Sequence, residues 1–282
     1  MIHTSKQLKD KVRNISHGDN EIAQMMIRCF IMERFLERIS LSEYKNNFIL
    51  KGGMLVASLI GIDTRATMDI DTTVSSLPLN EEDTLRIVKE IIDIPIEDGI
   101  HFEIAKVTRI MTDFEYPGIR IVLEARLDRL KQRIKIDLST DDVITPSAIR
   151  YNYRLMFEDR NIELMSYTPE TLLAEKIQTI LSRGITTTRL RDFYDVYEIV
   201  YENKVAIDKA VLVEAFSATC IKRRTTFNSA QIENIIKSIS EDKGLSNLWE
   251  LYQKDNFYVG DKTWKMVCKG VCKYILENLT EV

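Results

Sequence analysis

The sequence predicts an α/β N-terminal half, with a mixed sheet flanked by helices, followed by a mostly α-helical C-terminal half. Strand-like and helix-like segments alternate up to about residue 140, whereas helical periodicity dominates from Pro169 onward. Of the 282 residues, 45% are hydrophobic, which is enough to bury a sizeable core. We therefore expect two domains, over residues 1–150 and 151–282, with no Gly/Ser-rich linker between them.

The N-terminal elements follow from hydrophobic periodicity and from residues that begin or end helices. Apolar residues at helical spacing predict a helix over Glu21–Ser40, with Asp19 or Asn20 as its N-cap. An apolar strand ends at Gly52-Gly53, and Gly61 closes the helix that follows. The remaining predicted elements are strands at Asn47–Lys51, Asp69–Val74, His101–Ile110, Gly118–Leu127 and Gln132–Leu138, helices at Met54–Ile60 and Glu81–Ile92, a loop over 62–67 and a turn at Tyr116–Gly118.

The C-terminal half shows helical patterns throughout. Pro169 is typical of a first helical turn, and Gly184 of a helix end, which predicts a helix over Glu170–Ser182. The other predicted helices are Arg189–Tyr201, Asp208–Ala218, Ser229–Ile239 and Thr263–Leu279.

Composition excludes several classes of protein. The formal net charge of −4 argues against a protein that binds polyanions through its overall field. The four cysteines form no CxxC pair, so a zinc framework or disulfide scaffold is not expected, and we interpret the thiols as buried or incidental groups in a reducing compartment. No apolar run is long enough to span a bilayer, and we expect a soluble cytoplasmic protein.

Candidate catalytic groups cluster after the first predicted strand. Gly52-Gly53 lies between a strand and a helix, where backbone N–H groups can approach an anion. Asp69 and Asp71 alternate along a strand and so share one face. Asp137 lies near a strand end, from which a neighbouring strand can bring it beside the pair. Three carboxylates suit Mg²⁺ or Mn²⁺ and, with a phosphate loop, indicate phosphoryl or nucleotidyl transfer.

Simpler interpretations exist for each part of this pattern. A lone DxD pair is usually solvated or caps a turn, and a Gly-Gly pair is usually only a turn. The combination of Gly-Gly, a helix and then Arg65-x-Thr67-x-Asp69-x-Asp71, in one strand–helix–strand context, is much more specific.

The motifs resemble a known family. Leu50-Lys-Gly-Gly and Arg65–Asp71 are similar to the first motif of the AbiEii/AbiGii-type nucleotidyltransferase toxins, in the DNA polymerase β-like superfamily. The resemblance extends over most of residues 50–200, through Lys135-Ile-Asp137, Leu172-Leu-Ala-Glu-Lys176-Ile-Gln and Arg191-Asp192-Phe-Tyr-Asp195-Val. Met54 and Met68 depart from the usual pattern, which bears on nucleotide specificity and removes no metal ligand.

Three helical residues of these motifs can be placed on helical wheels. Lys176 falls within the apolar stripe of its helix, where a charge needs an anionic partner; alternatively its stem covers apolar surface while its amine reaches water. Asp192 borders the apolar stripe of the next helix and is the favoured partner or pocket residue, although it also suits the helix dipole. Asp195 faces further outward and is the second choice.

A basic pattern in the C-terminal half is open to two interpretations. Its members either contact an RNA backbone or form a solvated helix face, and the two are equally favoured. They are Lys222, Arg223, Arg224, Lys262, Lys265, Lys269 and Lys273.

The resemblance implies metal-dependent transfer of a nucleoside monophosphate from an NTP, with release of pyrophosphate. Asp69 and Asp71 would hold the metal with Asp137, which would also position the acceptor hydroxyl. The Gly52-Gly53 backbone would bind phosphate, Lys176 would neutralise the triphosphate, and Arg65 would assist, in a cleft between the two halves. Thr67 either contacts phosphate, becomes modified or is an ordinary strand residue.

The resemblance also implies the toxin of a bacterial toxin–antitoxin or phage-defence system. Relatives are associated with GTP and with tRNA 3′ ends. In the family's usual arrangement the antitoxin is a separate DNA-binding protein that need not touch the toxin, so we expect no stable complex. Two alternatives remain open: transfer to a protein hydroxyl, and a non-catalytic nucleotide- or RNA-binding module.

Overall fold

The computed structural model describes residues 2–61, 65, 67–78, 80–110 and 118–280. Strands occur only up to residue 166 within this part of the chain, and helices follow. The helices are α1 (Ser5–Ser16), α2 (Asn20–Leu41), α3 (Gly52–Ile60), α4 (Glu81–Ile92), α5 (Pro169–Arg183), α6 (Leu190–Tyr197), α7 (Lys209–Lys222), α8 (Ser229–Glu241), α9 (Lys243–Asp255) and α10 (Trp264–Leu279). The strands are β1 (Phe48–Lys51), β2 (Asp69–Val74), β3 (Ile100–Ile110), β4 (Gly118–Leu127), β5 (Leu130–Ser139), β6 (Ile149–Arg154) and β7 (Asn161–Ser166).

The seven strands form one mixed sheet in the order β3-β4-β5-β2-β1-β7-β6. Strand β2 runs parallel to β5 and antiparallel to β1, while β3, β4 and β5 form an antiparallel meander. Because β2 and β5 are parallel neighbours, their ends meet at the same edge of the sheet. This places residues that are far apart in sequence side by side.

One face of the sheet is buried and the other is open along β3–β5. On β5, Ile134, Ile136 and Leu138 are buried, and α2 packs against this strand and against β7. The alternate residues of β5 lie on the opposite face, which is exposed or partly exposed. Antiparallel sheets commonly have one dry and one wet face, and here the wet face carries the candidate catalytic groups.

Helix ends agree with the residues that cap them. The Asp19 carboxylate accepts hydrogen bonds from the N–H groups of Glu21 and Ile22 at the start of α2. Thr168 caps α5, whose first residue is Pro169. These local signals explain why the predicted helix positions agree with the observed ones to within a few residues.

The mixed sheet with a mostly helical C-terminal region confirms the predicted fold class. Several elements escaped the sequence analysis: α1, α9, β6 and β7. Helix α1 has few apolar residues, and α9 has Gly244 in its first turn. The helix predicted over Arg189–Tyr201 ends at Tyr197 as an α-helix and continues as a π-helical turn over Glu198–Glu202. The predicted loop over 62–67 and turn at Tyr116–Gly118 lie largely outside the described residues.

The chain divides into two compact units. The first comprises Met1–Ser58, Arg65–Asp142 and Ile149–Ser166, and the second Leu59–Thr64, Val143–Ala148 and Tyr167–Val282. Strands β6 and β7 therefore belong with the sheet, and α5 to α10 form the second unit. The domain assignment made from the sequence stays a prediction. Among the described residues, none of the helices is both long and apolar enough to cross a membrane.

Of the two interpretations of the thiols, the structure bears out burial. Cys29, Cys220, Cys268 and Cys272 are all free and buried. Burial raises the pKa of Cys29 to about 12, with Glu33 adding to the effect, so this thiol is unreactive at neutral pH.

Candidate active site

Three aspartates converge on the open face of the sheet. Asp69 and Asp71 alternate along β2, and the parallel pairing with β5 places Asp71 directly opposite Asp137. One carboxylate oxygen from each residue lies within 4.8 Å of the others. The sheet thus brings together the three carboxylates that the sequence analysis selected.

The three carboxylates of this aspartate triad repel one another. Burial, together with the neighbouring charges of Asp69 and Asp137, raises the pKa of Asp71 to about 6, against the opposing effect of Lys51. The Gly53 N–H donates a hydrogen bond of 3.4 Å to the Asp71 carboxylate. Repulsion among close carboxylates is relieved when a positive charge lies between them.

The donor set fits a divalent metal ion. It consists of carboxylate oxygens alone, with no sulfur or imidazole, which is the chemistry that Mg²⁺ and Mn²⁺ prefer. All three side chains are partly exposed, so an ion that also binds a substrate phosphate has access. Asp69, Asp71 and Asp137 are therefore suited to hold such an ion.

Two adjacent glycines provide the space that the triad requires. Gly52 has a φ of +62°, and a Cβ at this position would overlap the Asp71 carboxylate. A Cβ at Gly53 would clash with the Thr67 hydroxyl and lie 3.2 Å from the Arg65 guanidinium. The Gly-Gly pair also begins α3, so its backbone N–H groups lie at a helix N-terminus beside the carboxylates.

Arg65 and Thr67 lie beside this helix start and are both buried. The Thr67 hydroxyl donates a hydrogen bond of 3.2 Å to the backbone carbonyl of Asp69. This bond holds the backbone at Asp69, the first residue of both β2 and the triad. The predicted phosphate contact or modification of Thr67 stays a prediction.

Arg120 was not selected from the sequence. It lies on β4 opposite Asp137 and donates to both of its carboxylate oxygens, with N–O distances of 2.7 and 2.6 Å. This bidentate pair raises the pKa of the Arg120 guanidinium. A signal was present: Leu127 and Leu130 flank a tight turn, and counting seven residues outward from each pairs Arg120 with Asp137.

Lys51 is a second functional candidate that the sequence analysis did not select. It lies on β1 opposite Asp71, and its amine is 2.6 Å from the Asp142 carboxylate and 2.7 Å from the Ser139 hydroxyl. Burial by itself would raise the pKa of the Asp142 carboxyl. The Lys51 amine and the hydroxyl donors of Ser139 and Thr73 lower it by more, so the net shift is downward. The sequence signal that could have identified Lys51 was its position directly before Gly52-Gly53.

In the second unit, Lys176 has the buried anionic partners that the wheel requires. Its amine lies 2.6 Å from the Asp195 carboxylate and 3.3 Å from that of Asp192, which also pairs with Arg189 at 2.9 Å. The prediction that Asp195 faces outward is wrong, because this side chain is fully buried. Helix α6 packs against α5, α9 and α10, so it has no solvent-facing side there.

The predicted basic surface of the second unit is partly engaged. Lys262 precedes α10 and pairs with Glu198 at 3.1 Å, and Arg223 donates to Gln178 and Thr179. Lys265, Lys269 and Lys273 are exposed on α10, and Lys222 and Arg224 are also exposed. Their contact with RNA stays a prediction.

Comparisons with known proteins bear on the family and the fold of this chain. The family described as "Nucleotidyl transferase AbiEii toxin, Type IV TA system" matches residues 34–267. JHP933 from Helicobacter pylori is 16% identical, with a TM-score of 0.54 over 91% of this chain and 93% of that chain. A candidate nucleotidyltransferase from H. pylori is also 16% identical, with a TM-score of 0.52 over 91% and 96%. At this identity the two structures show a shared fold. No curated protein matches the chain.

Proposed function

This chain belongs to the AbiEii family, the nucleotidyl transferase toxins of type IV toxin–antitoxin systems, and we propose that it transfers a nucleoside monophosphate from an NTP to the 3′ end of an RNA such as a tRNA. The observation that carries the proposal is the convergence of Asp69, Asp71 and Asp137 within 4.8 Å. Carboxylates that hold divalent ions beside a phosphate-binding backbone are the recurring parts of phosphoryl-transfer sites.

The triad and the helix start have separate roles in this proposal. Asp69, Asp71 and Asp137 would hold Mg²⁺ or Mn²⁺, which neutralises charge on the triphosphate when bound. The backbone at Gly53, at the N-terminus of α3, offers N–H groups and the positive end of the helix dipole to phosphate oxygens. The Arg65 guanidinium lies beside Gly53 and adds positive charge at the same place.

Asp137 also acts on the acceptor. Its carboxylate orients the acceptor hydroxyl and favours its deprotonation. The hydroxyl oxygen bonds to the α-phosphorus as the bond to the bridging oxygen breaks, pyrophosphate leaves with that electron pair, and the hydroxyl proton passes to Asp137. The Arg120 pair keeps this carboxylate in place before substrates bind.

Other parts of the proposal rest on family resemblance. They include a preference for GTP, neutralisation of the triphosphate by Lys176, and a contribution of Asp192 to the nucleotide pocket. The partner implied by the system is a cognate antitoxin, and we expect no stable complex with it. A role in phage defence belongs to the same proposal.

The test is incubation of the purified chain with each α-labelled NTP in turn, together with total RNA and lysate protein. We expect RNase-sensitive label that EDTA abolishes. Asp69→Asn should lower the transfer rate by at least about 100-fold, roughly 3 kcal/mol of activation free energy. Asp159→Asn removes an exposed carboxylate elsewhere and should transfer at the wild-type rate.

Each alternative gives a different result. Label that protease removes and RNase does not would identify a Ser, Thr or Tyr hydroxyl as the acceptor. If Asp69→Asn leaves both toxicity in cells and NTP consumption unchanged, the chain is instead a binding module and the catalytic proposal is wrong.

A further inference from the structure

The open face of β3, β4 and β5 is rich in positive charge. Along β5, every second residue from 131 to 135 is basic and exposed, and the same alternation leads to Asp137. The neighbouring strands add more cations to this face, according to the register of the pairs. We call the following set the basic sheet face: Lys106 on β3, Arg120 and Arg126 on β4, and Lys131, Arg133 and Lys135 on β5.

These cations exceed the acidic groups around them. Outside the triad, the acidic side chains on this face of the three strands are Glu103 and Glu124. Arg126 pairs with both at 3.0 Å, whereas Lys131 and Arg133 approach Glu124 only at 3.9 and 3.7 Å, with 65% and 71% of their side chains exposed. Exposed pairs of this kind contribute little, so a polyanion can replace them.

The basic sheet face leads directly to the triad. In the β2–β5 register Lys135 lies opposite Asp69. The pair formed by Asp71 and Asp137 is two residues further along the same two strands, on the same face. Alternate residues on a strand are about 7 Å apart, so the basic residues of β5 form a regular row of charges that ends at the triad. A regular row fits a ligand whose negative charges recur along its length better than it fits the compact triphosphate of an NTP.

We propose that the basic sheet face binds the sugar–phosphate backbone of the acceptor RNA and leads its 3′ hydroxyl to Asp137. This inference rests on the proposed function, and it assigns the acceptor to β3–β5 of the first unit instead of to the lysines of α10. The exposed face of these strands carries no Phe, Tyr or Trp, and its one aromatic ring is that of His101, opposite Arg126. Binding is therefore directed to phosphates, with little selectivity for sequence.

The test measures RNA binding separately from catalysis. The affinity for 5′-labelled bulk tRNA is measured by fluorescence anisotropy without NTP, at several salt concentrations. The sheet variant carries Lys131→Gln, Arg133→Gln and Lys135→Gln. The matched control removes two exposed lysines and one exposed arginine from α1, through Lys6→Gln, Lys9→Gln and Arg13→Gln.

We expect the sheet variant to bind tRNA at least about 10-fold more weakly near 0.1 M salt, with a log–log salt slope reduced by about 2. The α1 control should bind like the wild type. In the transfer assay the sheet variant should raise KM for tRNA while KM for the NTP stays unchanged, which also shows that it is folded. The single variant Glu124→Gln removes an acid from the same face and should strengthen tRNA binding about two- to threefold.

The outcomes separate this inference from the proposed function. If the wild type labels protein and no RNA, the RNA acceptor is wrong whatever the anisotropy shows. If the wild type labels RNA but the sheet variant binds tRNA as tightly as the α1 control, the basic sheet face is not the RNA-binding surface, while the proposed function stands. A loss of binding in Lys265→Gln, Lys269→Gln and Lys273→Gln, without one in the sheet variant, would assign the acceptor to α10.

Discussion

The Asp71 carboxylate occupies space that only a glycine at position 52 leaves open. This constraint couples the two motifs at the level of single atoms: the residue that begins α3 must lack a Cβ because a candidate metal ligand packs against it. The positive φ of Gly52 adds a second reason, since this backbone conformation is unfavourable for other residues. The Gly-Gly pair is thus more than a turn here.

Gly52→Ala should therefore destabilise the protein by more than about 2 kcal/mol, because a strained φ and an overlap with Asp71 act together. Urea denaturation followed by circular dichroism measures the free energy of unfolding. The control is Gly18→Ala, since Gly18 also has a positive φ but nothing within 4 Å of its added Cβ.

Gly18→Ala should lower the free energy of unfolding by only about 1 kcal/mol, because only backbone strain is added at that position. Equal losses in the two variants would show that Asp71 moves aside without cost and that position 52 imposes no packing constraint on the triad.

At the scale of single residues, the sequence predicted only part of the candidate active site. Alternation along a strand was sufficient to place Asp69 and Asp71 on one face, and both are there. Arg120 and Lys51 depend on which strands become neighbours, and that information resides in the whole sheet. The β4–β5 turn was the exception, because its register can be counted from the sequence.

At the scale of elements, helix α6 shows where a helical wheel fails. A wheel assumes one buried and one exposed side, but α6 is enclosed by α5, α9 and α10 and buries Asp195 completely. Burial of a carboxylate on this apparent outer side is tolerated because the Lys176 amine lies 2.6 Å away.

Removal of the charge of either Lys176 or Asp195 should therefore destabilise the folded protein. Lys176→Met leaves two buried carboxylates beside each other and should lower the free energy of unfolding by about 3–5 kcal/mol. Asp195→Asn should cost more than Asp192→Asn, because Asp195 is closer to the amine and Asp192 retains Arg189. Urea denaturation of the three variants measures this order.

Glu175→Gln is the matched control on α5, since Glu175 only forms a partly exposed pair with Arg223 at 3.5 Å. Its cost should stay within about 0.5 kcal/mol. If Asp192→Asn proves the more damaging of the two aspartate changes, then the 3.3 Å contact is the one that stabilises the α5–α6 pair.

Long-range partners also explain what the sequence concealed in α2. Its apolar periodicity was predicted, but the helix also buries Glu33, Arg34, Glu37 and Arg38. Their partners come from distant segments: Arg38 pairs with Asp98 at 2.8 Å. Other partners are Glu158 for Arg34 and Arg160 for Glu37. Short-range periodicity locates such a helix and cannot identify partners that lie 60 or more residues away.

For the whole molecule, net charge proved a poor guide to local charge. The total of −4 argues against binding through the overall field, yet the basic sheet face carries six cations against three acidic groups on β3–β5. The two statements agree because screening limits exposed charges to about 8–10 Å in physiological salt. A polyanion that lies on β3–β5 responds to that face and not to the total.

Stability of the whole protein should depend on pH through Glu33, which is fully buried. Burial raises its pKa to about 8, a net value that already includes the lowering by Arg34 and by the hydrogen bonds from the Met156 N–H and the Tyr153 hydroxyl. Between the ordinary value of 4.5 and about 8, the folded state therefore holds one more proton than the unfolded state. The contribution is fully present below pH 4.5 and is lost as pH rises through 8.

The measurement is the free energy of unfolding in urea at pH 5.5 and pH 8, for the wild type and for Glu33→Gln, which cannot titrate. The wild type should lose stability relative to Glu33→Gln by up to about 1.4 kcal/mol per pH unit, while other titrating groups cancel in the difference. Glu124→Gln is the control from another part of the sheet: the hydrogen bonds from the Arg126 guanidinium hold the pKa of Glu124 below its ordinary value. Its difference from the wild type should stay constant between these two pH values, because Glu124 is ionised throughout in both states. A constant difference for Glu33→Gln as well would mean that Glu33 is already ionised in the folded protein at pH 5.5.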